Sequence, residues 1–311
     1  MSSKRVLVSG AGGFIGRWSV PALIEAGYEV HAVAGHTLSR PLPPQLRGAA
    51  IHRVDLFDAG AVDGLMARVA PSHLLHFAWI ATPGVYWSSP DNGRWLGASV
   101  NLMQRFASGG GVRVVMAGSA AEYDWTRVGV CHEMTSPLAN AGVPGVTAYA
   151  RAKLEMQFAL QRFAADHALS AAWGRIFFQF GPDEHPDRLV ASVIRSLLAG
   201  REAPCSHGRQ VRSFLHVADV GAAFAALLDS PVEGAVNVGS GDGLSIAELV
   251  SEVGAQIGRP ELVRLGARGA PPDEPPLLVP DVTRLRSEVG WQPRFGLRDG
   301  IADTIAWWRT R

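Results

Sequence analysis

The sequence predicts a doubly wound α/β fold, a parallel sheet with helices on both faces, and a smaller C-terminal lobe beside it. Three observations carry that prediction. Short β-branched runs alternate with longer helix-period segments through residue 177. A glycine cluster stands between the first strand and the first helix. The 311 residues, 47% hydrophobic and 18% charged, suffice for a large buried core and exclude a disordered, fibrous or low-complexity chain.

The elements follow in order. Residues 5–9 form a β-branched run ending in glycines, and 14–26 carry helical spacing that stops at Gly27. Strand candidates recur over 29–34, 51–55, 74–78 and 112–117, with helices over 59–69 and 95–107. A long helical segment, 147–166, leads to a strand over 170–177. After Gly181-Pro182 the rhythm loosens. Helices are expected over 186–198, 217–229, 245–257 and 297–309, with Pro/Gly-rich loops between them, densest over 266–280. The strand-like stretches within 211–238 (211–215 and 235–238) are expected to return to the main sheet.

Composition excludes several classes of function. Lys plus Arg is 29 against 28 for Asp plus Glu, a net charge of +1. That leaves no basic excess for a phosphate polymer, so no nucleic-acid partner is expected. Cys131 and Cys205 are too few for a disulfide framework, and Cys131-His132-Glu133 are adjacent residues that do not converge on one ion. His73 and His76 point to opposite faces of a strand, so no metal is expected. No apolar run approaches the ~20 residues of a membrane span. No signal-peptide core precedes the first strand, and a cytoplasmic protein is the expectation.

The first strand runs into Gly10-Ala11-Gly12-Gly13-Phe14-Ile15-Gly16 and then a helix. Strand, glycine turn and helix start come in the order of a dinucleotide site, where backbone approaches a pyrophosphate at the helix N-terminus. Gly10, Gly13, Phe14, Ile15 and Gly16 are the candidate cofactor residues. Asp55-Leu56, at the end of the third strand, is placed to meet the adenine edge, or Asp55 caps the next helix. The second strand ends Val33-Ala34-Gly35-His36, with Ser39 and Arg40 behind it and no acid. Lacking the acid that holds ribose hydroxyls, this end favours NADP(H) over NAD(H), with His36, Ser39 or Arg40 toward the 2′-phosphate. The predicted division is a Rossmann-type dinucleotide domain over 1–177 and a smaller lobe over 178–311.

Tyr149 and Lys153 stand four residues apart, on one face of a helix. The ammonium is expected to lower the phenol's pKa, and Tyr149 to give a proton to a carbonyl during hydride delivery. Ser119 ends the strand Val114-Val115-Met116-Ala117-Gly118-Ser119, where ligands of such sheets bind, and its hydroxyl can hold the reacting oxygen.

With these residues in place the sequence resembles an extended short-chain dehydrogenase/reductase, of the NAD-dependent epimerase/dehydratase group that acts on nucleotide sugars. The likeness spans nearly the whole chain. It includes His76-Phe77-Ala78, Arg175, Gly181-Pro182, the run from Arg212 to Val220, Asn237-Val238-Gly239-Ser240-Gly241 and Gly290-Trp291-Gln292-Pro293. The resemblance implies that Phe77 and Ala78 line the cofactor and that the smaller lobe binds a nucleotide-diphosphate sugar, with Arg212 a phosphate partner. It implies that His216 and Asp219 brace the lobe. It also implies a homodimer through the helices bearing 95–107 and Tyr149.

Two positions after Ser119 discriminate among reactions. Dehydratases of the group resemble one another in an Asp-Glu pair there, and fucose-synthase-type enzymes in a Cys; this chain has Ala120 and Ala121. Hydride chemistry at a single carbon remains, as a 4-keto-sugar reductase using NADPH or a 4-epimerase retaining NAD⁺. The cofactor expectation favours the reductase. Phe178, where many epimerases resemble each other in an Asn, points the same way. A non-catalytic cofactor-binding sensor is the third reading, disfavoured because Tyr149 and Lys153 are both present. Trp79, with Trp87, Trp95 and Trp125, borders the site as core or as a stacking surface. Glu122 is a second acid or a structural group, and Asp183-Glu184-His185 reads as surface loop.

Overall fold

The computed structural model describes residues 4–35, 42–127, 129–140, 142–143, 145–270 and 274–311. The first half alternates β1 (Arg5–Ser9), α1 (Gly16–Glu25), β2 (Glu29–Ala34), β3 (Ala50–Arg53), α2 (Ala59–Val69), β4 (His73–His76), α3 (Asp91–Ser108) and β5 (Arg113–Ser119). Then come β6 (Val130–Cys131), α4 (Ala148–His167), β7 (Ser170–Ile176), β8 (Phe178–Phe180), α5 (Leu189–Leu198) and β9 (Ala203–Pro204). The rest comprises β10 (Val211–Arg212), β11 (Phe214–His216), α6 (Val217–Asp229), β12 (Gly234–Val238), β13 (Leu244–Ser245), α7 (Ile246–Ile257), β14 (Val263–Arg264), β15 (Leu277–Pro280) and α8 (Leu297–Trp308).

Seven parallel strands form the central sheet in the order β12-β7-β5-β4-β1-β2-β3. The chain winds outward in both directions from β1, so the crevice between the carboxyl ends of β1 and β4 is the switch point where ligands bind in such sheets. β5 is buried along six of its seven residues, the continuous apolar run of a strand covered on both faces. One core lies between the sheet and α1 and α6, a second between the sheet and α2, α3 and α4. α5, α7 and α8 enclose a third around Ile194, Leu249 and Ile301.

Three local expectations are corrected. The stretch 235–238 lies in the main sheet, but 211–215 does not. Ser213 interrupts that run, its hydroxyl accepting the N–H groups of Ser240 and Gly241. β10 pairs instead with β13 and β15, and β11 with β8. The Pro/Gly-rich stretch 266–280 contains β15, whose short Leu277-Leu278-Val279 run is stabilised by pairing with β10 and β6 rather than by its own pattern. α5 starts at Leu189 rather than 186, because 181–188 forms a loop packed toward α1.

Candidate active site

The glycine turn is built by backbone lying on backbone. Gly10 has φ +68°, and a Cβ there would stand 2.6 Å from the Ala78 nitrogen. A Cβ on Gly16 would stand 2.3 Å from the Gly10 carbonyl oxygen. The turn therefore presses against Phe77-Ala78, and the Phe77 N–H donates to the Ser9 carbonyl at 3.1 Å. The N–H groups of Phe14 and Ile15 meet no protein acceptor among the described residues. Open donors at a helix N-terminus fit a dinucleotide pyrophosphate. Beneath the turn His76 bridges Ser9 (2.6 Å) and Ser99 (2.8 Å), and burial pushes its imidazole down to about 3. It is a neutral strut between β1, β4 and α3.

At the adenine end, Asp55 is exposed and accepts the Phe57 N–H at 2.9 Å, while Leu56 is buried. Asp58, not Asp55, caps α2. His36, Ser39 and Arg40, expected toward a 2′-phosphate, lie outside the described residues.

Ser119, Tyr149 and Lys153 converge at the carboxyl end of β5. Thr147 caps α4, accepting the Ala150 N–H at 3.1 Å, which puts Tyr149 in the first turn. The Tyr149 ring is held edge-on by Tyr86 (4.9 Å between centroids) and Trp87 (5.7 Å). Burial of its hydroxyl end raises the phenol's pKa above the ordinary tyrosine value, and a hydrogen bond with Ser119 only partly opposes this. The expectation that Lys153 lowers it is thus reversed. Lys153 donates to the Ala117 carbonyl at 2.9 Å and lies 3.8 Å from the Trp79 ring centroid, against 5.9 Å for Tyr149. Burial brings the Lys153 ammonium down to about 7, with the Glu122 carboxylate pulling the other way. Trp79 itself donates to Asn92 at 2.9 Å, which fixes the indole under the lysine.

Glu122 is structural. Its carboxylate accepts the Ser119 N–H (2.7 Å), Trp173 Nε1 (2.9 Å) and Arg175 Nε (2.8 Å), the last two fully buried. Arg175 continues to Tyr123 and Gln157, and Tyr123 to Asn237, so every charge in this network has a partner. Ala120 and Ala121 are buried beside it and bring no titratable group.

Other candidates fall outside this convergence. Arg212 is buried, donating to Glu274 (2.9 Å) and the Val211 carbonyl, with its guanidinium 5.5 Å from the Phe178 ring. Asp219 accepts the Arg294 and Phe295 N–H groups, tying α6 to the segment before α8. Residues 183–185 lie in a loop, but Glu184 is not at the surface: it is buried, and burial pushes its carboxyl up to about 8. No group of three or more potential metal ligands occurs among the described residues. Sequence reasoning missed Tyr86, Arg188 and Arg17. Arg188 lies 5.6 Å from the Tyr86 ring and its charge is felt by Tyr149, yet only the fold brings α5 to α4. Arg17, directly after the glycine turn, was visible in sequence but carried no motif.

The chain matches known proteins along nearly its whole length. A UDP-glucose 4-epimerase of Bacillus subtilis is 26% identical, with 97% of this chain and 96% of that protein covered. A dTDP-4-dehydro-6-deoxy-D-allose reductase of Streptomyces bikiniensis is 30% identical, covering 99% and 97%. The structure of Thermus thermophilus UDP-glucose 4-epimerase in complex with NAD superposes with a TM-score of 0.83 at 26% identity, covering 98% and 99%. Among the described residues no helix is long and apolar enough to cross a membrane. Residues 6–239 match the family model "NAD dependent epimerase/dehydratase family". The chain belongs to that family and is an enzyme of the extended short-chain dehydrogenase/reductase type.

Proposed function

We propose that the protein reduces the 4-keto group of a nucleotide-diphosphate 6-deoxysugar with NADPH. The observation that carries this reading is the proton inventory beside Ser119. Ala120 and Ala121 offer no acid or base for elimination or for epimerisation next to the ketone, and Glu122 is consumed by Arg175. The acid left on the convergence is Tyr149, a phenol and therefore protonated at neutral pH. A protonated phenol can give its proton to the more basic alkoxide that develops at the carbonyl oxygen. The 30% identity to a dTDP-4-dehydro-6-deoxy-D-allose reductase supports the same choice.

The bound cofactor supplies the hydride that reduces the carbonyl carbon. Ser119 holds the carbonyl oxygen against the Tyr149 hydroxyl, and Tyr149 gives its proton as that oxygen gains charge, leaving an alcohol. Lys153, kept in place by Ala117 and Trp79, is positioned to hold the nicotinamide ribose. Trp79 and Phe178 wall the sugar side, and Phe77 and Ala78 the cofactor side. We place the homodimer contact on α3 and α4, where Phe158 stands 56% exposed.

A 4-epimerase is the second reading, favoured by the likeness to the Bacillus subtilis enzyme and served by the same Ser119, Tyr149 and Lys153. Denaturing the purified protein and identifying any released nicotinamide separates the two. The reductase reading expects an empty site that takes NADPH more tightly than NADH; firmly held NAD⁺ overturns it. In either case Tyr149→Phe should cut turnover by roughly a hundredfold or more while cofactor affinity stays within about twofold. Full activity in that variant would remove the catalytic assignment.

A further inference from the structure

We propose that Arg17 is an anion-binding residue of the dinucleotide site, clasped in position by Asp183 from the loop that follows β8. The proposal rests on the dinucleotide reading of the glycine turn. Arg17 sits in the first turn of α1, and its side chain folds back over the turn that precedes it. Nε donates to the Gly13 carbonyl at 3.0 Å, Nη2 to the Gly12 carbonyl at 2.7 Å, and Nη1 meets Asp183 Oδ1 at 2.9 Å. A guanidinium carries five N–H donors in a rigid plane, and these contacts use three. The remaining two, one on each terminal nitrogen, meet no acceptor among the described residues, and the Phe14 and Ile15 N–H groups just before Arg17 are open as well.

The charge here is half-sheltered, with side-chain exposures of 16% for Arg17 and 24% for Asp183, so it is screened less than a surface pair. A doubly charged pyrophosphate seated on the turn would replace water at the two spare donors and gain charge-assisted bonds. The partner side is fixed as well. Asp183 adopts φ +68°, a left-handed conformation that the other two non-glycine residues sharing it, Ala70 and Ala168, adopt only as helix C-caps. Held there, Asp183 joins the glycine turn to the loop leading through Arg188 toward Tyr86 and Tyr149. The same two side chains therefore link the seat of the cofactor to the segment beside the reacting centre.

The test is a set of equilibrium titrations on the full chain, with whichever of NADPH and NADH the wild type binds more tightly, and with ADP and adenosine as competitors. Arg17→Gln should weaken the dinucleotide and ADP by roughly tenfold or more and leave adenosine within about twofold. Arg17→Lys, which keeps the charge, should recover part of that loss. Asp183→Asn should weaken the dinucleotide by a smaller factor, since the guanidinium loses its anchor and keeps its charge. Equal weakening of ADP and adenosine in Arg17→Gln would mean a loosened turn rather than an anion contact, and would overturn the proposal. So would wild-type ADP affinity in that variant, or a loss confined to NADPH. A wild-type chain that binds no dinucleotide would instead break the dinucleotide reading, and the proposal with it.

Discussion

Two strand-to-helix turns at the carboxyl edge of the sheet, one after β1 and one after β5 with β4 between them, solve the same problem in opposite ways. After β1 the turn is glycine, and its donors at Phe14 and Ile15 stay open. After β5 the turn is closed on itself: Ser119 and Glu122 form a reciprocal cap, the hydroxyl accepting the Ala121 N–H and the carboxylate the Ser119 N–H. The first presents backbone charge to a ligand. The second spends its backbone donors internally and presents a side-chain hydroxyl. The difference teaches where rigidity comes from. One turn is held by the absence of side chains; the other is held by a buried ion pair, Glu122 with Arg175.

Breaking each turn should therefore show in a different measurement. The largest effect expected is that of Glu122→Ala, which strands Arg175 in the core. Removing one partner of a buried pair costs about 3–5 kcal/mol. That is a fall in Tm on the order of 10 °C, read by thermal unfolding. A Tm within a degree or two of wild type would mean the network is not the brace. Next comes Gly16→Ala, whose Cβ would meet the Gly10 carbonyl oxygen at 2.3 Å. Here dinucleotide affinity should fall roughly a hundredfold as the turn's donors shift, while stability drops by only about 1–3 kcal/mol. Loss of stability without loss of affinity would erase the contrast between the turns.

The last effect, confined to high pH, concerns Glu184, in the loop after β8 that reaches α1. Its folded-state pKa, about 8, is above the ordinary 4.5, so the folded protein holds a proton that the unfolded chain releases. Stability should fall as pH rises from about 4.5 to about 8. Glu184→Gln removes that dependence. It should change Tm little at pH 5 and raise it clearly at pH 8, where the wild-type carboxyl has to give up its proton or stay buried and neutral. An equal shift at both pH values would show that the carboxyl is not titrating in this window.

The doubly wound order, the glycine turn, and the pairing of Tyr149 with Lys153 were legible because each depends on residues a few positions apart. Periodicity located the strands of the main sheet to within a few residues, since a buried parallel strand has to be apolar along its length. It did not place β10 and β15, two- and four-residue strands whose stability comes from each other. The burial of Glu184 was equally hidden, because Asp183-Glu184-His185 is as polar as any surface loop.

What the sequence alone determined is the set of chemical groups and their local geometry: a phosphate-sized turn, a phenol and an ammonium on one helical face, a hydroxyl at a strand end, and no acid pair after it. Tertiary structure decided how those groups are charged and held. Tyr149 is a weaker acid than a free tyrosine because its hydroxyl end is enclosed. Glu122 became a strut because Arg175 and Trp173 arrive on β7, and Arg17 met Asp183 because the loop after β8 returns to α1. Local order follows from covalent neighbours, whereas pKa and ion pairing follow from desolvation and charge brought together from distant parts of the chain.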